Sequence, residues 1–483
     1  PLLSGPAGCG KLFKLFDSMK ASVKLNWPFL LGITLVSAMG GLLFGYDWVV
    51  IGGAKPFYEP FFGISENPAM QGWAMSCALL GCLAGAVLSG WLSDRFGRKR
   101  LLILSAFLFI AASLGTGMAD NFNSFIAFRI LGGIGIGLAS NLSPMYIAEI
   151  TPSSVRGAFV SINQLTIVTG ILAAQLINWQ IAQPVAPDAS ASDILNSWNG
   201  QTGWRWMFYA CAVPSILFFI LMWFIPESPR WLAKNSDNHK RVFRILGKVG
   251  GSTYAEQELS AIVATLDVKT ENPIQTILRQ KGIVKLLVIG IVIAVFQQWC
   301  GINVIFNYAQ EIFSNAGYGV SDIMFNIVIT GSVNLVFTLV GMFTVDKLGR
   351  KALMLLGAGG LALNFLTLGT MYFLELKGLP MLIMVVLAVA TYGMSLAPVT
   401  WVILSEIFPN RIRGFAMSVA TFSLWTACFV LTYTFPLLNH SLKASGTFWL
   451  YGVICVLGFL FIKRKLPETK GKSLEEIEHE LIK

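Results

Sequence analysis

Twelve long apolar runs, separated by short polar stretches, define the pattern of this chain. A helix needs about 20 apolar residues to cross ~30 Å of hydrocarbon, and these runs are long enough to do so. The pattern therefore predicts an all-α membrane protein with twelve transmembrane helices. The runs cover about 27–50, 70–92, 101–118, 122–148, 158–182, 205–225, 284–312, 323–345, 352–373, 380–405, 414–438 and 446–464.

The chain also contains an internal repeat, in which the polar stretch 226–282 separates six apolar runs from the other six. Residues Gly90–Lys99 reappear as Gly341–Lys351 with a one-residue difference in length, and 148–157 reappear as 405–414. Two parallel six-helix halves with a site between them are a known transporter plan. The predicted segments are an N-terminal segment 1–26, part of which could be an extension before Met19, a bundle 27–225, an intracellular helical domain 226–282, a bundle 283–465 and a tail 466–483.

Four amide side chains interrupt the seventh apolar run: Gln297, Gln298, Asn303 and Asn307. An unpartnered amide in hydrocarbon costs several kcal/mol, so these groups are expected to face protein, water or a ligand. On a regular helix Gln298 falls outside the arc of the other three, unless Gly301 loosens the helix. Amides, with Trp299 nearby, suit an uncharged polyol such as a sugar. Bonding between helices is the alternative.

Two opposite charges lie deep inside apolar runs of the first half, Asp47 in the first run and Arg129 in the fourth. Buried charges are expensive unless they are paired, so we expect the two to be partners. Burial favours the protonated acid and a nearby guanidinium favours the carboxylate, so a change in their separation would switch proton affinity. The alternative is a permanent salt bridge that only joins the two helices.

Repeated charges mark the predicted cytoplasmic ends of the helices. Their pairing is expected to hold that side shut, with anchoring at the headgroup layer as the alternative. The residues are Asp94, Arg98, Glu149 and Arg156 in the first half and Asp346, Arg350, Glu406 and Arg413 in the second.

Only 12% of the 483 residues are charged and the mean hydropathy is +0.67, which excludes an ordinary soluble protein. The net charge of +10 lies mainly on loops of the side that holds both termini. The positive-inside rule then makes both termini and 226–282 cytoplasmic, and argues for a bilayer rather than nucleic acid as the partner. Loops 53–69, which includes Lys55, and 183–203 are expected outside. Three His and seven Cys imply no metal, cofactor or disulfide framework.

Seven short motifs lie along residues 27–475. They are 41–47, Asp94-Arg95-Phe96-Gly97-Arg98, 132–140, Pro226-Glu227-Ser228-Pro229-Arg230-Trp231, Gln297-Gln298 with Gly301-Ile302-Asn303, Asp346-Lys347-Leu348-Gly349-Arg350 and Pro467-Glu468-Thr469-Lys470-Gly471. Together these motifs resemble those of the major facilitator superfamily and, within it, the sugar porter family. Motifs 41–47 and 132–140 give a particular likeness to bacterial D-xylose–proton symporters.

The resemblance implies a set of sugar-binding positions. These are Gln164, Gln297, Gln298, Asn303, Asn334, Trp401, Phe44 and Trp425. Three positions depart from the xylose symporter pattern, because Leu424 and Ile171 each stand where a glutamine is expected and Asn307 stands at a tyrosine. The lost hydrogen-bonding groups leave open which sugar is bound.

The resemblance further implies a monomeric transporter in the cell membrane that imports a monosaccharide by proton symport with alternating access. Many facilitators of the family carry a neutral residue at the position of Asp47, so the aspartate favours proton coupling. The alternatives are a uniporter without proton coupling and a transporter-like sugar sensor. No nucleophile–base pair or dinucleotide fingerprint supports an enzyme.

Overall fold

The computed structural model describes residues 25–186, 189–235, 239–266, 281–408 and 413–468, and almost all of these residues are helical. The first half contains α1 (Trp27–Phe62), α2 (Pro68–Phe96), α3 (Arg98–Met118), α4 (Phe122–Ile150), α5 (Arg156–Ile181), the short α6 (Ala191–Asn196) and, after a π-helical turn at Asn199–Gly203, α7 (Trp204–Phe224). Between the halves lie α8 (Pro229–Asn235) and α9 (His239–Leu266). The second half contains α10 (Lys281–Trp299), α11 (Ile302–Asn307), α12 (Ala309–Asn315), α13 (Val320–Leu348), α14 (Arg350–Phe373), α15 (Leu379–Met394), α16 (Leu396–Ile407) and α17 (Arg413–Lys465).

Within the described ranges, eleven helical segments are long and apolar enough to cross a membrane. The last of them, α17, has 53 residues and would be ~80 Å long if straight, more than twice the hydrocarbon thickness. Its backbone leaves the helical conformation at Lys443, where φ is 58° and ψ is 174°. α17 therefore provides two spans, and the predicted all-α architecture of twelve transmembrane helices is confirmed.

Asparagine side chains start three helices of the first half. The Oδ1 atoms of Asn26, Asn67 and Asn121 accept hydrogen bonds from backbone N–H groups at the starts of α1, α2 and α4. These contacts satisfy donors that have no partner inside the helix.

The first helix is longer than the apolar pattern predicted. α1 continues through Pro56 and Pro60 to Phe62, where the sequence predicted an external loop from residue 53. Lys55 and Glu59 lie one turn apart within this extension and form an ion pair, so the charges that suggested a loop are satisfied inside the protein. The assignment of Lys55 to a loop was wrong.

The two halves contact each other where α1 meets α11 and α12, where α2 meets α17 and where α5 meets α13. Gly52 of α1 allows a close approach, because a Cβ atom there would lie 3.1 Å from the carbonyl oxygens of Phe306 and Asn307. These contacts place the C-terminal part of the seventh span directly against the first.

Candidate functional site

A break in the seventh span assembles the amides. α10 ends at Trp299, and Gly301 adopts a left-handed backbone with φ of 88° before α11 begins. A Cβ atom at Gly301 would lie about 3 Å from Tyr451 and Phe365, so both the conformation and the space require glycine. The break turns Gln298 toward Asn303, which a regular helix would not do.

Three of the four buried amides of the seventh span, those of Gln297, Gln298 and Asn303, form a hydrogen-bonded chain. Gln297 Nε2 donates to the hydroxyl of Tyr392 at 2.7 Å, and Gln298 Nε2 donates to Gln297 Oε1 at 2.6 Å. Asn303 Nδ2 in turn donates to Gln298 Oε1. Each amide nitrogen carries two hydrogens, so the chain leaves donors for a further acceptor. Trp299 is separate, because its indole N–H donates to the carbonyl of Ala427 at 3.0 Å.

The other predicted polar positions lie on three different helices. Asn307 is buried at the end of α11, and its Oδ1 has no hydrogen-bond partner among the described residues. Asn334 is buried on α13 beside Gly393, where a Cβ atom would lie 3.2 Å from Asn334 Oδ1. Gln164 is half-buried on α5 of the first half. Most of the predicted polar groups thus belong to the second half.

Three aromatic side chains join the two halves. The ring centroids of Phe44 and Trp48 on α1 lie 5.7 Å and 6.0 Å from that of Trp425 on α17. Leu424, the neighbour of Trp425, is buried as well. Trp401 on α16 is 36% exposed and makes none of these ring contacts. The sequence missed Trp48, although its spacing of four residues from Phe44 puts both on one helix face.

Asp47 and Arg129 form a buried ion pair in the first half. Arg129 Nη1 lies 2.8 Å from Asp47 Oδ1 and 2.9 Å from Oδ2, and only 3–4% of either residue is exposed. Trp48, Arg129 and Asn307 line a cavity of about 10 Å³ beside the pair, which is about the volume one water needs. The ion pair thus adjoins both the aromatic contact and the segment that carries the amides.

The repeated charges pair within each half. Arg98 Nη2 lies 2.9 Å from Glu149 Oε1, and Arg350 Nη2 lies 3.0 Å from Glu406 Oε1 at the equivalent place. Asp94 lies 3.5 Å from Arg98, whereas Arg156 donates to the carbonyl of Thr151 at 3.5 Å. The side chains of Asp346 and Arg413 lie outside the described part. These ion pairs join neighbouring helix ends of one half.

Comparison with known proteins identifies the family. A model described as "Sugar (and other) transporter" matches residues 33–481. The chain belongs to this sugar transporter family. The D-xylose-proton symporter of Escherichia coli (strain K12) is 37% identical over 487 residues, covering 95% of this chain and 96% of that protein. The arabinose-proton symporter of Bacillus subtilis (strain 168) is 38% identical over 456 residues, covering 94% and 96% respectively.

A solved structure supports the fold directly. The xylose transporter XylE from E. coli in an inward open conformation is similar with a TM-score of 0.81 and 37% identity, over 94% of this chain and 100% of that one. The resemblance to sugar porters that the motifs predicted is therefore confirmed.

The sequence did not assign roles to two glutamates that brace the repeated motifs of this transporter. Glu227 accepts backbone hydrogen bonds from Arg98 and Lys99, and Glu468 accepts the equivalent bonds from Arg350 and Lys351, all at 3.0–3.2 Å. Each carboxylate therefore caps the positive end of a transmembrane helix, α3 or α14. The signal was present, because each glutamate follows a proline after the sixth span of its half.

Two further groups were missed. Tyr392 ends the amide chain, although a tyrosine in an apolar run carries no distinctive signal. The cluster of Lys55, Glu59 and Glu311, of which the first two are buried, joins α1 to α12. Its signal in the sequence was three charges at the edges of apolar runs. Sequence alone could not show that these charges meet, because 252 residues separate Glu59 from Glu311.

Proposed function

We propose that this transporter imports a monosaccharide, a pentose or hexose similar to D-xylose, together with a proton by alternating access. One observation carries the proposal: Arg129, the partner of Asp47, and Asn307 of the amide-bearing segment line one small cavity. A site for an uncharged ligand and a site that can bind a proton are therefore neighbours. The two relatives named above are proton symporters of D-xylose and of arabinose.

The amide chain supplies the chemistry for sugar recognition. The free N–H groups of Gln297 and Gln298 can donate to sugar hydroxyls, and their oxygens retain a second acceptor position. The proposed site adds Asn303, Asn307 and Asn334 from the second half. It also includes Gln164 from α5, the aromatic residues Phe44, Trp401 and Trp425, and Leu424. Leucine at 424 packs against ring carbon atoms but offers no hydrogen bond.

The ion pair supplies the chemistry for proton coupling. While Asp47 is ionised, both of its oxygens bind Arg129, and the first and fourth spans are held together. Protonation neutralises Asp47 and leaves the buried guanidinium without its partner, which favours a different helix arrangement. Sugar binding and protonation then favour the same rearrangement, which is the requirement for symport.

In the proposed arrangement the protein lies in the plasma membrane, and both termini and α8–α9 face the cytoplasm. This arrangement rests on the excess of Lys and Arg in the loops on that side. The repeated charges, Asp346 and Arg413 included, then stabilise the closed arrangement of the cytoplasmic helix ends. We take the monomer as the functional unit, because a single chain supplies both halves of the cavity.

Uptake into proteoliposomes tests this function. A panel of labelled pentoses and hexoses is offered with and without an imposed pH gradient, and we expect accumulation of one or a few sugars only with the gradient. In Asp47→Asn we expect sugar binding and exchange to persist while accumulation disappears. Asp120→Asn is the control, because Asp120 is an exposed carboxylate that pairs with Arg205.

Each alternative function has its own result. Accumulation that persists in Asp47→Asn would show that Asp47 is not the proton carrier. Equilibration without accumulation in the wild type indicates a uniporter. Binding without any flux indicates a sensor.

A further inference from the structure

Three charged side chains meet where the C-terminal part of α1 packs against the first turn of α12: Lys55 and Glu59 are buried, and Glu311 is half-buried. Lys55 is only 1% exposed, its Nζ lies 2.8 Å from Glu59 Oε1, and it also pairs with Glu311 across the two halves. The ring centroid of Tyr308 lies 5.6 Å from the same Nζ. We call Lys55, Glu59 and Glu311 the outer cluster.

The charges of the outer cluster do not balance. One ammonium faces two carboxylates, so the ionised cluster carries a net charge of −1, with Lys55 and Glu59 buried and Glu311 half-buried. Glu311 Oε2 has no hydrogen-bond partner among the described residues, and Gln71 Nε2 reaches Glu59 Oε2 only at 3.5 Å. The cluster thus holds one carboxylate charge more than its single ammonium balances, and an unbalanced charge is costly at a buried position.

The imbalance depends on closure of the outer side. Lys55 and Glu59 are four residues apart on α1, so they remain a balanced pair in any arrangement of the halves. Glu311 belongs to the other half and reaches Lys55 only while α12 lies against α1. Opening the outer side must withdraw Glu311 into water, where its charge is solvated. Closure therefore brings a second carboxylate to the single ammonium and creates the uncompensated charge.

We propose that the outer cluster is a second proton-binding site, which takes up one proton from outside as the outer ends of the two halves close. The proton binds a carboxylate oxygen of Glu59 or Glu311, and the closed cluster becomes neutral. The same proton returns to the outside when α12 leaves α1, so it gates the cycle and is not the proton carried with the sugar. The inference rests on the proposed function, because it assumes alternating access.

A polar cavity gives protons a route to the cluster. Its volume is about 230 Å³, and Glu311 lines it together with the exposed Ser65, Glu66 and His440. The other ionisable groups around the cluster are Tyr58 on α1, Cys77 on α2, Arg129 on α4, Tyr308 before α12, and Glu66 and His440 at the cavity. Arg129 is already paired with Asp47, and His440 lines the same cavity as Glu311.

The distance between the outer ends of the halves tests the proposal. Spin labels are placed at Ser65→Cys and Ser314→Cys, both exposed, in a Cys9→Ser background, because the six other cysteines are buried. Double electron–electron resonance then measures the distance in lipid nanodiscs between about pH 5 and pH 9. Uptake of one proton on closure predicts that the ratio of closed to open molecules falls by up to about tenfold per pH unit as the pH rises.

Substitutions in the cluster are expected to act in opposite directions. Glu59→Gln and Glu311→Gln each leave a balanced pair, so closure should persist at high pH and lose its pH dependence. Lys55→Met leaves two carboxylates, so closure should require more acid than in the wild type. His440→Gln is the control and should keep the wild-type profile.

The proposal is overturned if the pH dependence survives in both glutamine variants or disappears in His440→Gln. Its failure is distinguishable from failure of proton symport. Glu59→Gln should still accumulate sugar under a pH gradient, whereas Asp47→Asn should not.

Discussion

At the scale of single residues, the proposed sugar site depends on how three amides are held. Each of Gln297, Gln298 and Asn303 donates one hydrogen bond within the chain that ends at Tyr392. A side chain fixed in this way loses little conformational entropy when a sugar binds, which preserves more of each hydrogen bond as affinity.

Removal of one amide should weaken sugar binding by the free energy of one or two neutral hydrogen bonds. We expect Gln298→Ala to lose about 1–3 kcal/mol, which is roughly 10- to 100-fold in affinity. Isothermal titration with the transported sugar measures the change. Trp299→Phe is the control, because the Trp299 indole donates to the carbonyl of Ala427 and takes no part in the hydrogen-bonded chain of amides. Unchanged affinity in both Gln297→Ala and Gln298→Ala would remove the amides from the site.

Leu424 is expected to influence which sugar is preferred. Its buried position beside Trp425 places it near the aromatic contact between the halves, and a leucine cannot replace the hydrogen bonds of a glutamine. Leu424→Gln should shift preference toward D-xylose if the wild type prefers another sugar. Competition by a panel of unlabelled sugars measures the profile. A profile that does not move would place Leu424 out of contact with sugar.

At the scale of helices, the repeated motifs brace the same two junctions in both halves. A glycine with φ of 91° or 92° precedes α3 or α14, and a distant glutamate caps the helix that follows. The first residue of the capped helix, Arg98 or Arg350, pairs through its side chain with a glutamate at the end of another span, Glu149 or Glu406. Each brace therefore couples the positions of neighbouring helix ends.

Loss of the charge at Glu149 should impair the cycle more than binding. Glu149 accepts from Arg98 and, at 2.5 Å, from the hydroxyl of Ser228, so Glu149→Gln weakens contacts to both α3 and α8. We expect transport to fall by about tenfold or more, since a charged hydrogen bond contributes about 1.5–3 kcal/mol. Initial uptake rates and sugar affinity from the external side are compared, with the exposed Glu256→Gln as the control. Normal uptake in Glu149→Gln would argue against this role.

At the scale of the whole molecule, the two halves carry different parts of the proposed function. The first half holds the Asp47–Arg129 pair, and the second holds most of the proposed sugar-binding amides. Trp48, Asn307 and the contacts of Gly52 lie where the halves meet. A ligand that binds at this junction changes the free energy of moving one half against the other, which is the physical basis of alternating access.

The sequence by itself determined the twelve spans, because a helix that crosses hydrocarbon needs a long apolar run whatever its neighbours are. It also showed the internal repeat, the family motifs and the amides of the seventh span, since these are local patterns. It predicted α1 to end too early, because the charges of Lys55 and Glu59 suggest a loop until their partners are known.

Only the tertiary structure decided which of these groups meet. It showed that Gly301 turns Gln298 toward Asn303, that Arg98 rather than Arg156 pairs with Glu149, and that Lys55 reaches Glu311. A helical wheel assumes one continuous helix and contains no information on contacts between distant spans. Pairing depends on how the helices pack, and burial then determines how much free energy an unpaired charge costs.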